Sequence, residues 1–311
     1  MNPQILQEMA VRYFLEVARC GSVSVAAERL DVAPSAVSRQ VARLERELGT
    51  LLFERRARGM TLNAAGELLA AHAKRAQQDV ERVAGDIMGL RGLRQGLVRV
   101  VCTEGFIHDF LPAAIAEFRR QYAGIRFTLD VCSQREVPVR VRDGTADIGV
   151  TLSLTSHRDV RVELRMPAPV RAVVAAGHPL AGQPEVSLAQ LMAYPLALPD
   201  ADSTLRQLID ISCSRQQLSC EPMFSSRSVD ALVAFAGAGG GVAFCGELAI
   251  RYRLRAGQVV ALPLRDREMN ERHFEVQTLA GRVLPEAAKA FIASLRAQLQ
   301  ADGGVVPAPD S

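Results

Sequence analysis

Lysine is nearly absent from this chain. Lys74 and Lys289 are the only two among 37 lysine and arginine side chains, so arginine supplies almost all the positive charge. Long apolar runs are missing too. No stretch reaches bilayer-spanning length and no basic-then-apolar leader opens the chain, which predicts a cytoplasmic protein with no membrane partner. The six cysteines, Cys20, Cys102, Cys132, Cys213, Cys220 and Cys245, show no pair at metal-ligand spacing. Catalytic signatures are also lacking. Gly237-Ala238-Gly239-Gly240-Gly241 leads into a predicted strand rather than a helix, so it does not have the form of a dinucleotide loop. There is no Gly-x-Ser-x-Gly elbow, and the five histidines are scattered without an acid–base constellation. The pattern opposes an enzyme, a resident metal and a resident cofactor. The missing leader also opposes a transport-type solute binder.

What remains is a chain with material for real cores. Its 311 residues are 49% hydrophobic and 23% charged, which suits about two to three soluble domains. The net charge of +3 says little about partners. The clustering of arginines between Arg39 and Arg58 says more.

That cluster lies in the most informative stretch, Ser22 to Leu62. Val37, Val41, Leu44 and Leu48 recur at the spacing of one buried helix face. Ser35, Arg39, Ala42 and Arg46 fall opposite, small at the start and cationic further along. A helix entering a DNA major groove needs such a face: small polar groups to approach base edges, and arginines for phosphate or guanine. Ser22 or Ser24 can cap the preceding helix, whose Ala26 and Ala27 admit a close neighbour. Asp31-Val32-Ala33 turns the chain, and Pro34 suits the first position of the second helix. This is the outline of a helix-turn-helix. An ordinary helical hairpin, with Arg43 and Arg46 merely paired to Glu45 and Glu47, is the alternative. Gly49 ends the second helix. A short strand, a basic turn with Arg55, Arg56 and Arg58, and a returning Met60-Thr61-Leu62 then make a small wing. Asn63 caps a long alanine-rich helix running to about Leu90.

The strings Val32-Ala33-Pro34-Ser35-Ala36-Val37-Ser38-Arg39-Gln40, Leu44-Glu45-Arg46-Glu47-Leu48-Gly49, Leu52-Phe53-Glu54-Arg55 and Leu62-Asn63-Ala64-Ala65-Gly66 resemble the LysR-type transcriptional regulators. The resemblance is close over the first quarter and looser over the rest. It implies that Ser35, Ser38 and Arg39 face the groove of double-stranded DNA. It also implies that Arg43, Arg55, Arg56 and Arg58 meet phosphates or the minor groove. Two positions depart from the pattern. Ala33 stands where many members have Ser or Thr. Pro34 stands at a groove-facing position where many have Gln, and it offers no hydrogen-bonding side chain. Readout is therefore expected to lean on Ser35, Ser38 and Arg39.

The long helix carries Leu68, Leu69, Ala71, Ala76, Val80, Val83 and Ile87, more apolar surface than a small winged domain can cover. The resemblance implies that it pairs with its twin in a homo-oligomer, by default a dimer of dimers, with RNA polymerase as a further partner. Two reading heads about one helical turn apart bind more bases than one. The glycines of Gly89-Leu90-Arg91-Gly92-Leu93-Arg94-Gln95-Gly96 predict a hinge. From Leu97 strands and helices alternate, which predicts a parallel sheet with helices on its faces. Asp147-Ile148-Gly149-Val150, His178-Pro179-Leu180 and Gly239-Gly240-Gly241-Val242-Ala243 resemble landmarks of the family's inducer-sensing domain. The expected fold is thus an all-α winged helix-turn-helix N-terminal domain followed by a two-lobed, periplasmic-binding-protein-like α/β domain. The expected boundaries are residues 1–62 for the winged domain and 63–91 for the linker helix. The sensing domain is expected over 92–301, with a disordered tail over 302–311. Lobe 1 is expected over 97–162 and 268–300, and lobe 2 over 163–267.

A small-molecule effector is expected between the lobes, where strand ends and helix N-termini converge. Thr103 and Glu104, Ser133, Thr151 and Leu152 follow the first three predicted strands. Pro199, Ser203 and Thr204 open a helix of the second lobe, and Ser226 and Arg227 precede another. The resemblance aligns Thr103, Ser133, Leu152, Ser203, Thr204 and Phe224 with inducer-site regions. Each hydroxyl can equally be a plain N-cap. Arg227 could pair with a carboxylate, whereas Glu104 argues against a crowded anionic pocket or for an amine on the ligand. A redox switch through Cys213 and Cys220 is the alternative function. In the family's peroxide-sensing branch the reactive Cys precedes Leu-Arg, but here Thr204 precedes Leu205-Arg206.

Overall fold

The computed structural model describes residues 9–56, 59–89, 95–154, 159–201 and 203–301. The chain forms two compact units, residues 1–84 and 85–311. Among the described residues no helix is long and apolar enough to cross a membrane.

The first unit packs α1 (Met9–Cys20), α2 (Val23–Leu30) and α3 (Pro34–Leu48) against a hairpin of β1 (Phe53–Arg56) and β2 (Gly59–Leu62), followed by α4 (Ala64–Gly89). Its core joins Phe14 and Val17 of α1, Ala26 and Ala27 of α2, and Val37, Val41 and Leu44 of α3. Alanine in α2 is what lets α3 come close. Ser22 caps α2 by accepting from Val25 N at 3.5 Å, and Ser24 takes no part in the cap. Ala33 precedes α3 with no side-chain cap, Pro34 fills the first helical position, and Gly49 closes the helix in the left-handed region at φ 71°. Three bonds fix the wing. The Glu45 carboxylate accepts from Leu52 N at 2.8 Å. Asn63 Nδ2 donates to Leu51 O at 2.8 Å. Met60 N donates to Gly21 O at 2.9 Å.

The second unit has two five-stranded sheets. Its elements are β3 (Gly96–Cys102), α5 (Phe110–Gln121), β4 (Ile125–Val131), α6 (Glu136–Arg142), β5 (Ile148–Ser153), β6 (Val160–Pro167), β7 (Arg171–Ala175), α7 (Leu188–Leu191) and β8 (Leu196–Pro199). There follow α8 (Thr204–Arg215), β9 (Phe224–Ser226), α9 (Val229–Gly237), β10 (Val242–Cys245), α10 (Glu247–Arg255), β11 (Val259–Pro263), β12 (His273–Leu279) and α11 (Glu286–Ala301). Lobe 1 has strand order β4-β3-β5-β12-β6, and lobe 2 has β11-β7-β10-β8-β9. Each lobe buries its own apolar cluster, around Phe106, Phe274 and Phe291 in the first and around Val174, Leu198 and Phe244 in the second.

Two expectations need correction. The sheets are mixed, not wholly parallel: β3, β4 and β5 run parallel, but β12 returns antiparallel between β5 and β6. The crossing between lobes also comes later than residue 162. β6 stays hydrogen-bonded to β12 as far as Pro167, paired with His273, so the first lobe holds the chain up to that proline. The expected hinge over 90–94 and the tail over 302–311 lie outside the described residues.

Candidate functional site

The outward face of α3 is open. Pro34, Ser35, Ser38 and Arg39 are all exposed, while Val37, Val41 and Leu44 on the other side are buried. Residues four apart lie one above another on a helix, so Ser35, Ser38, Arg39 and Ala42 form one continuous strip. Among the described residues no ion pair engages Arg39, and its guanidinium is available to a partner. Arg43 is also exposed, but its Nε donates to Glu47 Oε1 at 2.8 Å. Such an exposed i, i+4 pair is worth about 0.3–0.5 kcal/mol, too little to hold the arginine from a phosphate. The side chains of Arg55 and Arg56, and all of Arg58, lie outside the described residues. The register of the hairpin that carries them, Arg55 opposite Met60 and Arg56 opposite Gly59, puts both on the wing as expected.

The long helix α4 has two apolar faces. Leu69, Ala70 and Ala73 are buried in their own unit. Leu68 and Val80 are 75% and 69% exposed. Between α1 and α4 runs a groove of about 1370 Å³ lined by Val11, Leu15, Leu30, Ala73 and Val80. The side chain of Ile87 lies outside the described residues.

In the second unit two side-chain bridges join the lobes. Glu104 follows β3 in lobe 1 and reaches the start of α9 in lobe 2. Its Oε1 accepts from Ser228 Oγ at 2.7 Å and its Oε2 from Val229 N at 2.9 Å. Ser228 is itself the N-cap of α9, accepting from Ala231 N at 3.2 Å. A carboxylate of the chain thus occupies the electropositive helix end where a ligand's acid group would sit. The second bridge runs from Thr204 Oγ1, at the start of α8, to Gln134 Oε1. Thr103 Oγ1 is buried beside this region with no hydrogen-bond partner among the described residues.

The other predicted effector residues divide. Ser203 caps α8, accepting from Arg206 N at 3.0 Å. Ser133 donates its hydroxyl to Glu136 at 2.9 Å and its N–H to the same carboxylate at 3.0 Å, which holds the Glu136 carboxyl below its usual range. Both behave as helix-end residues. Thr151 is buried in β5, opposite Glu275 of β12. Leu152 packs partly against the lobe 1 core. Pro199 ends β8, buried and paired with Ser226. Phe224 stacks on Phe235 of α9 at 5.1 Å, in the packing beneath that helix. Arg227 differs from expectation: it is 86% exposed and its Nε bonds Asp200 Oδ2 at 2.6 Å, so the chain already supplies it with a carboxylate. Gln134, Ser228 and Asp200 were not predicted. Ser228 carried a usable signal, a serine directly before an apolar helix. Gln134 and Asp200 carried none, because their partners are distant in sequence.

Cys213 and Cys220 lie side by side, the Cys213 thiol hydrogen-bonded to Cys220. Burial, with Cys220 beside it, pushes the Cys213 thiol up to about 12, and burial also raises Cys220. Thiolate is the reactive form, so this pair is chemically quiet near neutral pH. Mild peroxide followed by mass spectrometry of the intact chain should find no Cys213–Cys220 disulfide. Stoichiometric linkage would restore the redox reading.

Comparison with known proteins agrees with this geometry. Residues 9–67 match the bacterial regulatory helix-turn-helix protein, lysR family. Residues 91–300 match the LysR substrate binding domain. The HTH-type transcriptional regulator CbbR of Rhizobium meliloti (strain 1021) is 28% identical over 282 residues, covering 88% of each chain. The transcriptional dual regulator GltC of Bacillus subtilis (strain 168) is 30% identical over 240 residues, 76% of this chain and 79% of its own. A full-length OxyR variant from Pseudomonas aeruginosa shares the fold, with TM-score 0.70 over 95% of both chains at 20% identity. The exposed reading strip, the wing and the two-lobed sensing domain therefore have one common source: the chain belongs to the LysR family of bacterial helix-turn-helix transcriptional regulators.

Proposed function

We propose that α3 reads operator DNA through Ser35, Ser38 and Arg39, with Arg43 and the wing arginines Arg55, Arg56 and Arg58 on phosphates. Pro34 borders the same surface and contributes shape rather than hydrogen bonds. The observation that carries this reading is the exposure of Ser35 and Arg39 on a helix whose opposite side is wholly buried. The protein acts in the cytoplasm, without enzymatic activity or a resident cofactor. Its second copy lays a twin of α4 along the groove beside α1, covering Leu68 and Val80. Two such dimers make the working tetramer, and contact with RNA polymerase follows promoter binding.

A small-molecule effector sits between the lobes, bordered by Thr103, Glu104, Gln134, Thr204 and Ser228. It shifts the balance of lobe arrangements only by its differential affinity for them. The two bridges give that balance a physical form: arrangements that keep Glu104 on α9 and Thr204 on Gln134 compete with arrangements that release them.

DNA readout is tested by fluorescence anisotropy on the chain's own upstream DNA. Arg39→Ala should relax sequence preference by about 1–3 kcal/mol. Arg58→Ala should lower affinity evenly across sequences and reduce the salt slope by about 0.9. Full discrimination by the Arg39 variant would remove Arg39 from the reading strip.

A further inference from the structure

One buried cation in the sensing domain has no counter-ion. Arg272 lies just before β12 and is 3% exposed. Its Nε donates to Ala168 O at 3.2 Å. Its Nη2 is buried with no hydrogen-bond partner. Among the described residues no carboxylate pairs with it. The ionisable neighbour is Cys245, whose thiol burial pushes up to about 12, so it remains neutral and offers no negative charge. Glu247, the nearest acid along the chain, is turned outward and bonded to Arg171 Nε at 2.6 Å. Burial without compensation draws the Arg272 guanidinium down to about 10. Charged groups this deeply buried are normally paired.

The guanidinium is aimed at a helix start. A Cβ at Gly246 would come within 3.0 Å of Nη2, so the missing side chain leaves the notch that the guanidinium faces. Gly246 is the N-cap of α10 and gives it no side-chain cap. The partial positive charge of that nine-residue helix and a full positive charge therefore meet at one point. Gly246 and Ala168, the two residues against Arg272, both line a cavity of about 460 Å³. Arg171 and Arg251 also border it, and Phe106, Met166 and Leu248 form apolar wall. Of the predicted effector residues only Leu152 is shared.

We infer that this cavity is an oxyanion site, in which a phosphate, sulfate or carboxylate group sits between Arg272 and the first turn of α10. The oxygens accept from Nη2 and from the helix N–H groups, the arrangement that anions favour at helix ends. The cavity is larger than an inorganic ion needs, so an organic acid fits with its acid group in the notch and its body on the apolar wall. The site stands apart from the Glu104 and Gln134 bridges and does not depend on an effector binding between them.

The test is calorimetric titration of the full-length protein with inorganic phosphate, against chloride at matched ionic strength. Saturable phosphate binding is expected in the unaltered chain. Arg272→Met should abolish it. Gly246→Ala keeps the charge and fills the notch, and should weaken binding by about tenfold or more; it serves if the Arg272 variant fails to fold. Acetate and butyrate in parallel identify the source: tighter butyrate points to an organic acid, equal affinity to a free ion, and either supports the seat. Phosphate heats no different from chloride, or binding unchanged in Gly246→Ala, would overturn the inference. Operator binding measured on the same samples reports separately on the regulator reading.

Discussion

Gly66→Ala should abolish operator binding by unfolding the N-terminal unit. On helix propensity alone the change would help, since alanine is about 1 kcal/mol better than glycine inside a helix. Packing reverses the sign. An added Cβ at Gly66 would stand 2.1 Å from Leu52 O and 2.9 Å from Leu62 Cδ2. The carbonyl cannot retreat cheaply. Leu52 is buried, its N–H is held by the Glu45 carboxylate, and its oxygen accepts from Asn63 N at 3.1 Å. Asn63 in turn accepts from Gly66 N at 2.9 Å. Glycine is thus required where α4 passes over the root of the wing. Overpacking of this kind costs about 1–3 kcal/mol or more, a large share of a small domain's stability. Urea unfolding followed by circular dichroism should show the early transition moved to lower urea. Gly182→Ala, with open space around its Cβ position, should not move it. A Gly66 variant as stable as the parent, with full DNA affinity, would mean that α4 does not approach Leu52 this closely.

The same locality explains what could be read in advance. The stripe of α3 was legible because Val37, Val41 and Leu44 face one core and the helix has a single buried side. The Pro34 start and the Gly49 stop are local rules of backbone geometry. By contrast α10 buries only Ile250, so its sequence shows no stripe and predicts no helix. β11 passed unnoticed because it is a five-residue strand with only Val259 and Leu262 buried. The end of β6 depends on its pairing with β12, more than a hundred positions away. The inter-lobe site suffered most. Helix starts flagged Ser203 and Thr204, but whether a hydroxyl caps its own helix or crosses the cleft is decided by the other lobe. Ser203 caps α8, while Thr204 bonds Gln134, 70 positions earlier. Arg227 was read as a free anchor for an acid, and Asp200, 27 positions earlier, had already claimed it.

Glu104→Ala should loosen the start of α9 and the hold between the lobes together. The carboxylate satisfies two donors of lobe 2 from a backbone position in lobe 1, 124 and 125 positions earlier. Removing it leaves Ser228 Oγ and Val229 N to water and deletes a charge favoured by the helix dipole. Charge-assisted hydrogen bonds contribute about 1.5–3 kcal/mol each, and partial exposure here places the total nearer about 2 kcal/mol. Glu104→Gln keeps the shape and one acceptor oxygen, so about half that loss is expected. Hydrogen exchange is the direct readout. Amides at the start of α9 should lose protection in Glu104→Ala by about thirtyfold, the equivalent of 2 kcal/mol. Amides in β3, packed in the lobe 1 core, should not change. If the α9 amides kept their protection, Glu104 would be a bystander and the lobes would be held by Thr204–Gln134 and the crossing strands alone. If they lose it, an effector that draws Glu104 away acts on a contact the chain already makes, and sensing needs no new element.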